Sequence, residues 1–130
     1  DRLLVGHSDG RDDHDYQRTL AERGAFVGFD RFGLEMFNPD AVRMKNLKQL
    51  ADAGHLDRIL VSHDTVNCFL GGIPGMGSAD DFARIAPNWR MTHLFENIFP
   101  ELERMGMSSA DLDHIVVENP RRFFTASPAV

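Results

Sequence analysis

Three short apolar runs, each ending on polar residues, set the rhythm of the chain: Leu3-Leu4-Val5-Gly6-His7, Ala25-Phe26-Val27-Gly28-Phe29-Asp30-Arg31 and Ile59-Leu60-Val61-Ser62-His63-Asp64. Runs of this length, bounded by glycine and polar residues, predict buried strands. Between the first two, residues 14–23 are rich in helix formers, with acidic residues ahead of them and Gly24 placed to end the helix. Between the second and third, residues 40–51 put Val42, Leu47, Leu50 and Ala51 on one helical face, with Gly54 as the stop. Strands alternating with such helices predict a parallel α/β architecture, because parallel neighbours need a crossover and a helix supplies it.

After Asp64 the pattern loosens. Glycines and prolines interrupt residues 65–88, which predicts a long loop with room for one short helix, and loops of that length in folded domains tend to carry function. Residues 89–105 then read as a helix kinked near Pro100. Ser108-Ser109-Ala110-Asp111 reads as a cap and first turn leading into residues 112–117, and the tail from Ser127 as frayed. Three parallel strands leave open edges and an uncovered face, so a further part of the same protein, a second chain or crystal-lattice neighbours must cover them.

Composition narrows the function. The 130 residues are 42% hydrophobic, with ten Phe, enough for a folded core, and the net charge of -6 argues against a nucleic-acid partner, which needs clustered Lys and Arg. No apolar run is long enough to cross a bilayer, so no membrane partner is expected. Cys68 is the single cysteine and cannot form an internal disulfide, which makes the cytoplasm the expected compartment and Cys68 an inert thiol. The opening on Asp1-Arg2-Leu3, without Met, reads as the interior of a longer chain.

Chemistry gathers after the strands. His7 and Asp64 follow two of the apolar runs, at the carboxyl ends of parallel strands, where active-site groups of α/β folds converge, and imidazole with carboxylate suits zinc and related ions. The plainer alternative is a hydrogen-bonded histidine and a capping aspartate. Arg31, after Asp30, either binds an anionic or carbonyl oxygen or forms an ion pair with an acidic neighbour. His63 alternates away from Asp64, toward the helices, while His14, His55, His93 and His114 lack metal spacing. No nucleophile elbow, phosphate loop or Cys-x-x-Cys is present.

Four stretches, Val5-Gly6-His7-Ser8-Asp9, residues 20–33 with Gly28-Phe29-Asp30-Arg31, Ile59-Leu60-Val61-Ser62-His63-Asp64 and Val117-Glu118-Asn119-Pro120-Arg121-Arg122-Phe123-Phe124, resemble the phosphotriesterase family of the amidohydrolase superfamily in order and spacing. The resemblance implies the C-terminal part of a (β/α)₈ TIM barrel, residues 1–130 supplying strands six to eight and their helices, with 65–88 as the substrate-pocket loop. It implies two divalent metal ions, zinc first, with cobalt, manganese or iron as alternatives. His7 would bind one ion, and Asp64 would bind the other and handle a proton in catalysis. The remaining ligands would lie outside this sequence, so the chain alone is expected to be inactive. Asp30-Arg31 resembles the lactonase-like members, which implies a hydrolase of lactones, carboxylic esters or organophosphate triesters, with Arg31 on the substrate. The alternatives are a non-catalytic small-molecule-binding barrel and a half-barrel that assembles with another chain, as a homo-oligomer or with a missing N-terminal half.

Overall fold

The computed structural model describes residues 3–66 and 79–125. The first strand, β1 (Leu4–Val5), leads through α1 (His14–Glu22) to β2 (Phe26–Phe29), and α2 (Asp40–Leu50) carries the chain on to β3 (Ile59–Val61). The strands form one parallel sheet in the order β1-β2-β3, with Val5 opposite Val27 and Val27 opposite Ile59. Two successive strand-helix-strand units therefore lay three strand ends side by side, as the sequence predicts. The glycine-rich residues 71–77 and Cys68, within the expected pocket loop, lie outside the described residues.

Helix ends explain the crossovers. Asp13 caps α1 by accepting from the Tyr16 N–H at 3.0 Å. At its far end Gly24, with φ 86°, lets Gly24 N–H reach the Ala21 carbonyl and Ala25 N–H reach that of Leu20, a Schellman closure that turns the chain into β2.

Beyond β3 come α3 (Ala79–Ile85), α4 (Phe99–Arg104), α5 (Ser109–Asp113) and α6 (Asn119–Thr125). The helix expected over 89–105 is helical only from His93, because residues 90–92 form a bend and a turn. Pro100 and Pro120 each follow a wide π-helical turn, in which Phe99 N–H bonds the Leu94 carbonyl and Asn119 N–H that of His114. The wide turn accommodates the backbone bond a proline cannot make. Asn119 is buried, and its amide donates to the carbonyls of Leu56 (2.8 Å) and Ile59 (2.7 Å), pinning the C-terminal helices to the start of β3.

Val27, Phe29 and Ile59 meet Leu47 and Leu50 of α2 and Leu102, Leu112 and Ile115 of the later helices in one core. Two expectations need correction. Leu4 is exposed, because β1 is an edge strand and no described element lies over it. On α2 the buried face runs through Asp40, Arg43, Met44, Asn46, Leu47 and Leu50, and Val42 is only partly buried. That face is polar at its N-terminal end, where it approaches the strand ends.

Candidate active site at the carboxyl ends of the strands

His7 and Asp64 are the non-glycine residues with positive φ among those described, at 56° and 54°. A left-handed residue with a Cβ costs about 1–2 kcal/mol, so each must be held by its surroundings, and such strain concentrates at functional sites. One follows β1 and the other follows β3, with β2 between them.

Asp30, just past β2, holds His7. Its carboxylate accepts the His7 backbone N–H at 2.9 and 3.0 Å and lies 2.9 Å from His7 Nδ1. A carboxylate can only accept, so Nδ1 carries the proton and Nε2 presents its lone pair. Room for this carboxylate comes from two glycines. A Cβ at Gly6 would sit 3.1 Å from Asp30 Oδ2, and one at Gly28 would sit 3.0 Å from it and 3.1 Å from Gly6 Cα. A glycine inside a strand marks such close approach.

Arg31 turns to Asp64 rather than to the adjacent Asp30: its Nε lies 3.5 Å from Asp64 Oδ2, and its guanidinium sits 5.1 Å from the centroid of the exposed Phe37 ring. The ion pair is half open to solvent, so its worth in stability is small. Its consequence is geometric, since it keeps a permanent cation beside an acidic group at the site mouth. His63 is partly buried: its carbonyl accepts from Trp89 Nε1 at 2.6 Å, and its Nδ1 lies 3.4 Å from Thr65 Oγ1.

The donor set suits a divalent ion in kind. An imidazole whose second nitrogen is tied to a carboxylate is the usual arrangement of a metal-binding histidine. In number it falls short, because the described residues gather no group of three or more His, Cys, Asp or Glu that could hold an ion, and a catalytic zinc typically takes three protein ligands. His7 and Asp64 thus fit as part of a coordination shell.

Sequence reasoning missed Asp30 as the support of His7, although Gly6 and Gly28 were its visible signal. It also gave no role to Asp9, fully buried behind the site. Burial pushes the Asp9 carboxyl above its ordinary range, against the opposing charge of Arg43 and the N–H of Arg31.

Parallel strands with crossover helices, ending in a histidine, an Asp-Arg pair and an aspartate, place polar and ionisable groups where the sites of β/α folds lie, at the carboxyl ends of the strands. Residues 1–124 match the Phosphotriesterase family, and the chain belongs to that family, whose members are (β/α)₈ barrels. It is 34% identical over 124 residues to an aryldialkylphosphatase of Saccharolobus solfataricus, covering 95% of this chain and 38% of that protein. Among solved structures it resembles a phosphotriesterase from Mycobacterium tuberculosis, with TM-score 0.86 and 28% identity over 94% of this chain and 36% of that one. It is also similar to a PTE-like lactonase mutant from Deinococcus radiodurans, with TM-score 0.83 and 35% identity over 95% of this chain and 38% of that one. The chain therefore spans little more than a third of the length of these relatives.

Proposed function

We infer that the intact protein hydrolyses lactones, other carboxylic esters or organophosphate triesters at a binuclear centre of divalent ions, to which this chain contributes His7 and Asp64. The observation that carries the reading is the pair of left-handed residues after β1 and β3, on either side of β2, each held by a charged partner, His7 by Asp30 and Asp64 by Arg31. Membership of the family supports assigning β1, β2 and β3 to strands six, seven and eight, and residues 65–88 to the loop that shapes the pocket.

When bound, the ions supply Lewis acidity to the carbonyl or phosphoryl oxygen and acidify a water near neutral pH; zinc, cobalt, manganese and iron all suit this donor set. His7 offers Nε2 to one ion, with its ring fixed by Asp30. Asp64 would hold the other ion, and its carboxylate would take up the proton released by the attacking water. Arg31, anchored by Asp64 and Phe37, turns its remaining N–H groups to the oxygen on which negative charge grows. Its permanent charge favours lactones over phosphotriesters, in keeping with the lactonase relative.

The rival reading is a barrel that binds small molecules without turning them over. Metal analysis of the intact protein separates the two. Catalysis requires close to two divalent ions per chain, lower occupancy in His7→Ala and a large loss of turnover in Asp64→Asn. Full activity with unchanged metal in His7→Ala removes His7 from the centre, and turnover retained in Asp64→Asn removes Asp64 from the mechanism. The cytoplasm is the proposed compartment of the intact protein, whose barrel is completed by an N-terminal half or by a homo-oligomer.

A further inference from the structure

Four ionisable side chains are sealed from solvent behind Arg31: Asp9 and Arg43 at 0% exposure, and Asp40 and His93 at 4%. They form a continuous chain. Arg43 Nε lies 3.0 Å from Asp9 Oδ2, Arg43 Nη1 lies 2.9 Å from Asp40 Oδ1, and His93 Nε2 lies 2.8 Å from Asp40 Oδ2.

Nearly every other bond of this cluster goes to one segment, residues 31–38. Asp9 Oδ2 accepts the Arg31 backbone N–H at 3.1 Å, and the Asp40 carboxylate accepts that of Gly33 at 3.0 and 3.1 Å. Arg43 donates to the carbonyl of Leu34 at 3.1 Å and to that of Asn38, while Asn38 Nδ2 donates to the Asp9 carbonyl at 2.9 Å. The other side of the segment is closed by backbone. Gly33 has φ 90°, and a Cβ there would fall 2.3 Å from the Asn88 carbonyl oxygen. Residues 31–38 are thus clamped between the buried charges and the chain entering Trp89.

Buried ion pairs are a poor route to stability, because desolvating the charges offsets their attraction and apolar replacements often do as well. A cluster whose bonds converge on the segment bearing Arg31 therefore calls for a role beyond filling the core. We propose that Arg43 is a positioning residue: through Asp9 and Asp40 it fixes the backbone of residues 31–34, and so holds the Arg31 guanidinium in the direction of Asp64 and the substrate, with His93 tying the clamp to the segment after the pocket loop. The proposal rests on the reading of Arg31 as a substrate contact, and its test separates the two.

In the intact protein, Arg43→Lys keeps the charge but loses the planar fork that serves Asp9, Asp40, Leu34 and Asn38 together. The variant should lower kcat for a lactone by roughly 10-fold, because small misplacements of a group acting in the transition state are costly, and KM should change by less than about 2-fold. In an Arg31→Ala background the same substitution should change kcat by under about 2-fold, since the residue through which it acts is gone. Hydrogen exchange should rise across residues 31–38 and stay at the parent level in β2. An equal kcat loss in both backgrounds, or unchanged exchange in 31–38, overturns the proposal. If Arg31→Ala alone leaves turnover intact, the substrate role of Arg31 fails, and exchange decides the positioning claim by itself. Should Arg43→Lys not fold, His93→Gln, which loosens the clamp at its outer end, is judged by the same measurements.

Discussion

Replacing Asp30 tests whether His7 is a metal ligand oriented by its neighbour. The Asp30 carboxylate takes both the ring Nδ1–H and the backbone N–H of His7, and holds that residue at φ 56°. Asp30→Asn preserves the shape allowed by Gly6 and Gly28 but turns charge-assisted bonds into neutral ones. A hydrogen bond to a charged group contributes about 1.5–3 kcal/mol and a neutral one about 1, so the loss is roughly 0.5–2 kcal/mol. Asp30→Ala removes the acceptors entirely and frees His7 to leave a conformation that costs about 1–2 kcal/mol. Together these place the weakening of metal binding at about 10-fold for Asn and toward 100-fold for Ala, the range found when the partner of a metal-bound histidine is lost. The assay is competition for zinc between the intact protein and a chromophoric chelator at neutral pH, with thermal unfolding of the metal-free protein alongside. Affinity within about 2-fold of the parent in Asp30→Ala refutes the argument. So does an affinity loss wholly matched by a fall in the stability of the metal-free protein.

Arg31→Ala in the intact protein should lower lactone kcat/KM by about 10²–10³, the usual effect of removing one donor to a developing oxyanion, and an aryl phosphotriester should be the poorer substrate of the parent; lactone turnover that survives the change reduces Arg31 to an ion-pair partner. The 130 residues by themselves should hydrolyse neither substrate with added zinc, because two ligands cannot fix two ions or exclude water, and zinc-dependent turnover by this chain alone would point to a site completed by self-assembly. Ser108→Ala should cost about 1 kcal/mol, since Ser108 Oγ accepts the Asp111 N–H while the Asp111 carboxylate accepts the Ser108 N–H, a reciprocal helix cap. Ser108 holds the Asp111 carboxyl below its ordinary value of 3.8 through its hydroxyl and its N–H, so the cap stabilises fully above that pH and its contribution fades as pH falls through the lowered value. A chemical-denaturation difference between parent and variant that stays constant down to strongly acid pH contradicts this origin.

The strand ends were legible because their signals are local. Apolar runs closed by His7, Asp30-Arg31 and Asp64 encode both the elements and the chemistry at their ends, since a strand that must be buried stops where charge begins. The same holds for the helix stops at Gly24 and Gly54, where only glycine takes a positive φ without penalty. Partnership was not legible. That Asp30 serves His7 across the sheet while Arg31 crosses to Asp64 depends on which strands lie adjacent and on the order β1-β2-β3. The buried face of α2 escaped the apolar pattern for a related reason: Asp40 and Arg43 are charged, and a charge reads as exposed until tertiary packing brings Asp9, His93 and the 31–38 backbone around it. Local periodicity thus determined the elements and the residues at their ends. Only the folded arrangement decided which charges neutralise one another, because that depends on distances between groups separated by 22 positions, as for Arg31 and Asp9, or by 53, as for His93 and Asp40.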